Sequence, residues 1–137
     1  MTTQTTRYGI GTTVDLPYDD AVARTREALA GEGFGVLTEI DVRATLKKKL
    51  DVDTRPYVIL GACNPALAHQ ALSAERDIGL LLPCNVIVYE ADQPGKSVVA
   101  VMDPLEALAL TGNDGVRPIA QEARARLERV LEAIEAS

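Results

Sequence analysis

The stretch Tyr57-Val58-Ile59-Leu60-Gly61-Ala62-Cys63-Asn64-Pro65 is followed by a short Ala/Leu-rich segment and then by Gly79-Leu80-Leu81-Leu82-Pro83-Cys84-Asn85-Val86-Ile87-Val88-Tyr89. From Tyr57 to Ala62 the run is apolar without a break, the pattern of a strand covered on both faces or central in a sheet. Asn64-Pro65 reads as a helix start, with Asn as N-cap and Pro at the first helical position. Val86 to Tyr89 reads as a second strand, and Pro83 suits its entrance rather than its middle. Both cysteines of the chain and its one histidine, His69, lie in this stretch. Each cysteine is followed by an asparagine: the first Cys-Asn ends an apolar run and the second begins one. If the two strands are antiparallel neighbours joined through a helix, both pairs stand at the same edge of a sheet and face one site.

Working outward, Val98 to Met102 is a further strand. Pro94-Gly95 before it has the signature of a type II turn, so this strand and Val86–Tyr89 should form an antiparallel hairpin. Asp103-Pro104 begins a short helix that ends at Gly112, with Leu105, Leu108 and Ala109 facing inward. The last helix spans about Val116 to Glu135, with Ile119, Ala123, Leu127, Val130 and Ile134 on one stripe. Toward the N-terminus, Phe34 to Ile40 reads as a strand in which Phe34, Val36, Thr38 and Ile40 share a face. Asp41 caps a helix over Val42–Leu50, whose Lys47-Lys48-Lys49 run suits a solvated helix C-terminus. Pro17 opens a helix with Tyr18, Val22, Thr25 and Leu29 on its stripe, ended by Gly31 or Gly33. Tyr8 to Val14 is a strand with Gly9 and Gly11 on one face, where a crossing helix is expected to pack closely. Residues 1–6 are expected to be disordered. The connector Asp77–Pro83 is apolar through Leu80-Leu81-Leu82 and is expected to be covered.

The length of 137 residues predicts a single domain over 1–137, and 47% hydrophobic residues with no Trp predict an aliphatic core. A net charge of −6 argues against a nucleic-acid surface, which needs a basic stripe to neutralise phosphates. The polar N-terminus lacks the apolar segment of a signal peptide. No apolar run approaches the ~20 residues that span a bilayer. The expectation is a soluble, cytoplasmic protein with no nucleic-acid or membrane partner, its two cysteines free thiols.

Phe34-Gly35-Val36-Leu37-Thr38-Glu39-Ile40-Asp41-Val42, Leu60-Gly61-Ala62-Cys63-Asn64-Pro65, Leu80-Leu81-Leu82-Pro83-Cys84-Asn85-Val86 and Met102-Asp103-Pro104 together resemble domain-of-unknown-function family 302 (DUF302). The resemblance covers nearly the whole chain. It implies an α+β fold of the TATA-box-binding-protein-like kind: a curved antiparallel sheet gripping a long C-terminal helix, β-α-β4-α with inserted helices, often as a dimer. It implies no activity, and the fold alone does not imply DNA binding.

Two constellations carry candidate chemistry. Cys63, Asn64, Cys84 and Asn85 form the first. A helix N-terminus at Asn64 is expected to favour the Cys63 thiolate, and two thiols can hold a soft metal ion, although no Cys-x-x-Cys motif is present. The competing reading is two small buried residues in a core. His69 borders the inward face of its helix and is expected to be exposed. Glu39 and Asp41 form the second constellation, a carboxylate pair that can do acid–base work or bind a hard cation; Asp41 as a helix cap and Glu39 as a surface group is the alternative. No nucleophile–His–acid triad or phosphate loop is readable. The leading expectation is a domain that binds a small ligand or metal near the Cys-Asn strand ends as a homodimer. A thiol-based enzyme or redox protein using Cys63 or Cys84, and a purely structural or interaction module, are the alternatives.

Overall fold

The computed structural model describes residues 3–137. It pairs the two central apolar runs as antiparallel neighbours: β4 (Tyr57–Cys63) lies beside β5 (Cys84–Glu90), with Ala62 opposite Cys84 and Val58 opposite Val88. Around them stand β1 (Thr3–Thr5), β2 (Gly9–Val14), β3 (Gly35–Asp41) and β6 (Ser97–Met102). The six strands form one antiparallel sheet in the order β1-β2-β6-β5-β4-β3. The β5–β6 hairpin is present, with Gly95 of its turn at φ +74°.

Alternation sorts the strand residues onto two faces. Ile10, Val14, Val58, Leu60, Val86, Val88, Val99 and Val101 point to one face and are buried there. That face is closed by α1 (Tyr18–Gly31) and α5 (Arg117–Glu135), whose Leu29, Leu127, Val130 and Ile134 complete the aliphatic core. The sheet thus holds the long C-terminal helix against one side, and the fold is α+β. Three shorter helices, α2 (Val42–Leu50), α3 (Pro65–Ala74) and α4 (Pro104–Leu108), sit at the strand ends. Each starts on a side-chain cap: Asp41 accepts from Ala44 N, Asn64 from Leu67 N and Asp103 from Leu105 N. A second core of Ala71, Ile78, Leu108, Val116 and Ala120 joins α3, α4 and α5 beside the Cys63 end of the sheet. Among the described residues no helix is long and apolar enough to cross a membrane.

Four expectations are corrected. Thr3–Thr5 is an edge strand on β2 rather than a disordered segment, while residues 1 and 2 lie outside the described residues. The glycine face of β2 does not receive a helix; the helices cover the Ile10–Thr12–Val14 face, and a Cβ on Gly11 would stand 2.9 Å from Ala100 Cβ of the neighbouring strand. In β3 the register shifts between Val36 and Thr38. Leu37 is the extra residue of this bulge, so Thr38 and Ile40 turn to the uncovered face, opposite Gly61 and Ile59. The connector becomes a 3-10 helix over Arg76–Leu81 that buries Ile78 and half-buries Leu81 and Leu82, yet leaves Leu80 89% exposed.

Candidate functional site

Antiparallel pairing of β4 with β5 brings the end of one strand beside the start of the next, so Cys63 and Cys84 come together at one edge of the sheet. Both line a cavity of about 290 Å³ between this edge, α3 and α5. Its walls are apolar. Leu67, Ala68, Ala71 and Leu72 come from α3, Leu82 and Pro83 from the connector, and Ile119 and Ala123 from α5. Phe34 and Leu37 close it from the start of β3. Leu37 is there because of the bulge, which spends one residue turning its side chain out of the sheet register.

The two thiols differ. Cys84 is buried, and burial, helped by the neighbouring Cys63, pushes its pKa from 9.0 up to about 11. Cys63 is only partly buried. Beside it, Asn64 is 8% exposed and its Oδ1 accepts from Leu67 N at 3.2 Å, which fixes the start of α3. His69 is exposed on α3 and does not line the cavity. Among the described residues no group of three or more His, Cys, Asp or Glu side chains stands together. The donors available to a soft cation at this edge are therefore the two sulfurs, and one of them is held protonated at neutral pH.

Asn85 is separated from its partners in the motif. It follows Cys84 in β5, pairs with Gly61, and is exposed on the uncovered face of the sheet. Pro83 stands over the same glycine: a Cβ on Gly61 would lie 2.9 Å from Pro83 Cγ and would also collide with Thr38 Oγ1. Gly61 thus lets the connector and β3 close over the strand.

Glu39 and Asp41 lie at the opposite end of the sheet, since Asp41 pairs with Val58 whereas Gly35 pairs with Cys63. Glu39 accepts from Arg26 at 2.6 Å, and Asp41 is the α2 cap. Both raise the Tyr18 pKa, although burial of the phenol is the larger cause. They do not converge with the cysteines.

Sequence reasoning missed the α5 wall. Ile119 and Ala123 are visible in the sequence only as part of a helix stripe. Arg126, which lines an adjoining cleft with Asn64 and Leu67, is one of several arginines on the polar side of that helix. Nothing local to it marks it out, because its neighbours at the site come from α1 and α3.

Over residues 10–134 the chain matches the family described as Domain of unknown function DUF302. Its fold is similar to the crystal structure of an uncharacterized conserved DUF302 protein from Bacillus stearothermophilus, with a TM-score of 0.84 and 28% identity, covering 92% of this chain and 97% of that one. No curated protein matches the chain.

Proposed function

We propose that this chain, which belongs to the DUF302 family of domains of unknown function, is a small-molecule-binding domain whose site is the cavity at the Cys-Asn strand ends. The observation that carries this reading is an apolar cavity of about 290 Å³ with both cysteines in its wall. Leu37 and Leu72 in its wall are exposed, so the cavity opens to solvent and a ligand can enter. A dry cavity of ~150 Å³ holds benzene, so one near twice that size takes an apolar body of roughly ten carbons. Apolar walls with a few fixed polar groups are the usual make-up of a ligand site.

Two free thiols suit a reducing, cytoplasmic compartment. The reading includes a homodimer through the uncovered sheet face. Ile59, Ile87, Ala100 and Met102 are only partly buried there, beside the stacked rings of Tyr57 and Tyr89 at 5.2 Å. A two-fold pairing of such faces is the commonest way to cover them. A second reading, thiol chemistry, rests on the difference between the cysteines: Cys63 is the accessible one, and the buried Cys84 suits a supporting role. A soft metal ion across the two sulfurs would have to displace the Cys84 proton.

Calorimetric titration with 1-decanol, a neutral apolar probe, tests the cavity. Ala68 is half-buried in its wall, so Ala68→Phe fills the space from α3. The expected result is saturable binding, one probe per chain, weakened at least about tenfold by Ala68→Phe, which is the worth of ~1.4 kcal/mol. Equal affinity in the two proteins, or no binding to either, would sink the reading.

A further inference from the structure

We propose that the ligand is an amphipathic carboxylate, its apolar body in the cavity and its carboxylate at the Asn64–Arg126 junction in the adjoining cleft; this rests on the cavity being a ligand site. The cleft measures about 310 Å³ and shares Asn64, Leu67 and Ile119 with the apolar cavity. The two spaces adjoin along these three residues, where the proposed ligand passes from one to the other.

Asn64 stands where the two spaces meet. It is more than nine-tenths buried and lines both spaces. Its Oδ1 is used by Leu67 N, so the amide group Nδ2 is identified by elimination as the donor end. Among the described residues Nδ2 makes no hydrogen bond. Nδ2 is not sealed in the interior, so it is a donor that a ligand acceptor in the cleft can reach.

Further donors stand beside it. Arg126 Nε binds Glu122 at 2.9 Å and its Nη1 donates to the Glu32 carbonyl at 3.2 Å, which leaves the Nη2 donors for a ligand. Asn64 Nδ2 and Arg126 Nη1 lie 3.0 and 3.4 Å from the point where a Cβ on Gly33 would stand. Gly33 is at φ +83°, and having no Cβ it keeps that space open. In the first turn of α3, Pro65 has no N–H, Leu67 N is taken by the cap and Ala68 N by the Asn64 carbonyl. The Ala66 N–H remains, at the positive end of the helix dipole and in the wall of the cleft.

The charge balance selects a monoanion. Glu122 also lines the cleft and already offsets Arg126, so the surplus positive charge is that of one helix end. A single carboxylate, accepting from the amide, the guanidinium and the Ala66 N–H, matches that surplus better than a dianionic phosphate.

The test compares decanoate with 1-decanol by calorimetry on the whole chain, using the ratio of the two affinities as readout. The ratio is expected to favour decanoate by at least about tenfold, the worth of a hydrogen bond to a charged group. It should fall in Arg126→Gln. It should fall again in Asn64→Asp, which keeps an acceptor for the α3 cap but replaces the free donor by a negative charge. It should rise in Glu122→Gln. Decanol binding with no preference for decanoate, or a preference that all three variants leave in place, overturns the carboxylate assignment while the cavity reading stands. Absence of binding by both probes overturns both.

Discussion

At the scale of single residues, the two cysteines show how place in a strand sets chemistry. Cys84 opens β5 toward the covered face, and burial holds its thiol neutral up to a pKa of about 11. Cys63 ends β4 next to the N-terminus of α3, where it is partly open to solvent. A small alkylating reagent at pH 8 should therefore modify Cys63 first and leave Cys84 largely intact, read by mass spectrometry on single Cys→Ser variants. Faster modification of Cys84 would contradict the assignment. The same burial makes stability depend on pH. The Cys84 pKa is raised in the folded state, so below pH 9 the thiol is neutral in both states and its contribution is fully present. Between pH 9 and about 11 the unfolded chain loses the proton first, and stability falls. Tyr18 and Tyr57, whose pKa values are also raised by burial, add to this alkaline loss. Cys84→Ala should reduce the fall by on the order of 2 kcal/mol, measured by urea unfolding at pH 8 and pH 10.5. An identical fall in the variant would mean that Cys84 is not held neutral by the fold.

At the scale of elements, α5 carries the covered face of the sheet. Leu127 and Val130 are fully buried between the strands and α1, and Thr12 of β2 donates to Glu135 at 2.7 Å. Leu127→Ala should cost about 2–5 kcal/mol. A loss under about 0.5 kcal/mol, the size of a neutral surface change, would show that the sheet does not grip the helix. The α5 stripe was legible in the sequence because its apolar residues recur at the helical period. The caps at Asp41, Asn64 and Asp103 were legible because a cap is a contact between residues two or three apart. The bulge at Leu37 was not: with Phe34, Val36 and Ile40 all apolar, simple alternation fits the sequence, and only pairing with β4 shows the slip. Nor was β1 legible, since Thr3–Thr5 owes its strand to β2 rather than to any apolar pattern of its own. The meeting of Cys63 with Cys84 could be inferred from antiparallel pairing. That of Asn64 with Arg126 could not, because it joins elements far apart in the chain.

At the scale of the whole molecule, one face of the sheet is closed by α1 and α5 and the other carries Ile59, Ile87, Ala100 and Met102 with a pair of stacked tyrosines. If two copies meet on that face, sedimentation at tens of micromolar, an ordinary range for dimer affinity, should show a dimer, and Ile87→Lys should convert it to a folded monomer. A wild-type chain that sediments only as a monomer would contradict this. The uncovered sheet face and the cavity are lined by different residues, and a methyl-labelled NMR titration with 1-decanol distinguishes them directly. Saturable shifts are expected at the Leu67, Leu72 and Leu82 methyl groups, which line the cavity, with Ile59 and Ile87 unmoved. Shifts confined to Ile59 and Ile87, or no saturable shift in any of these methyl groups, would contradict it.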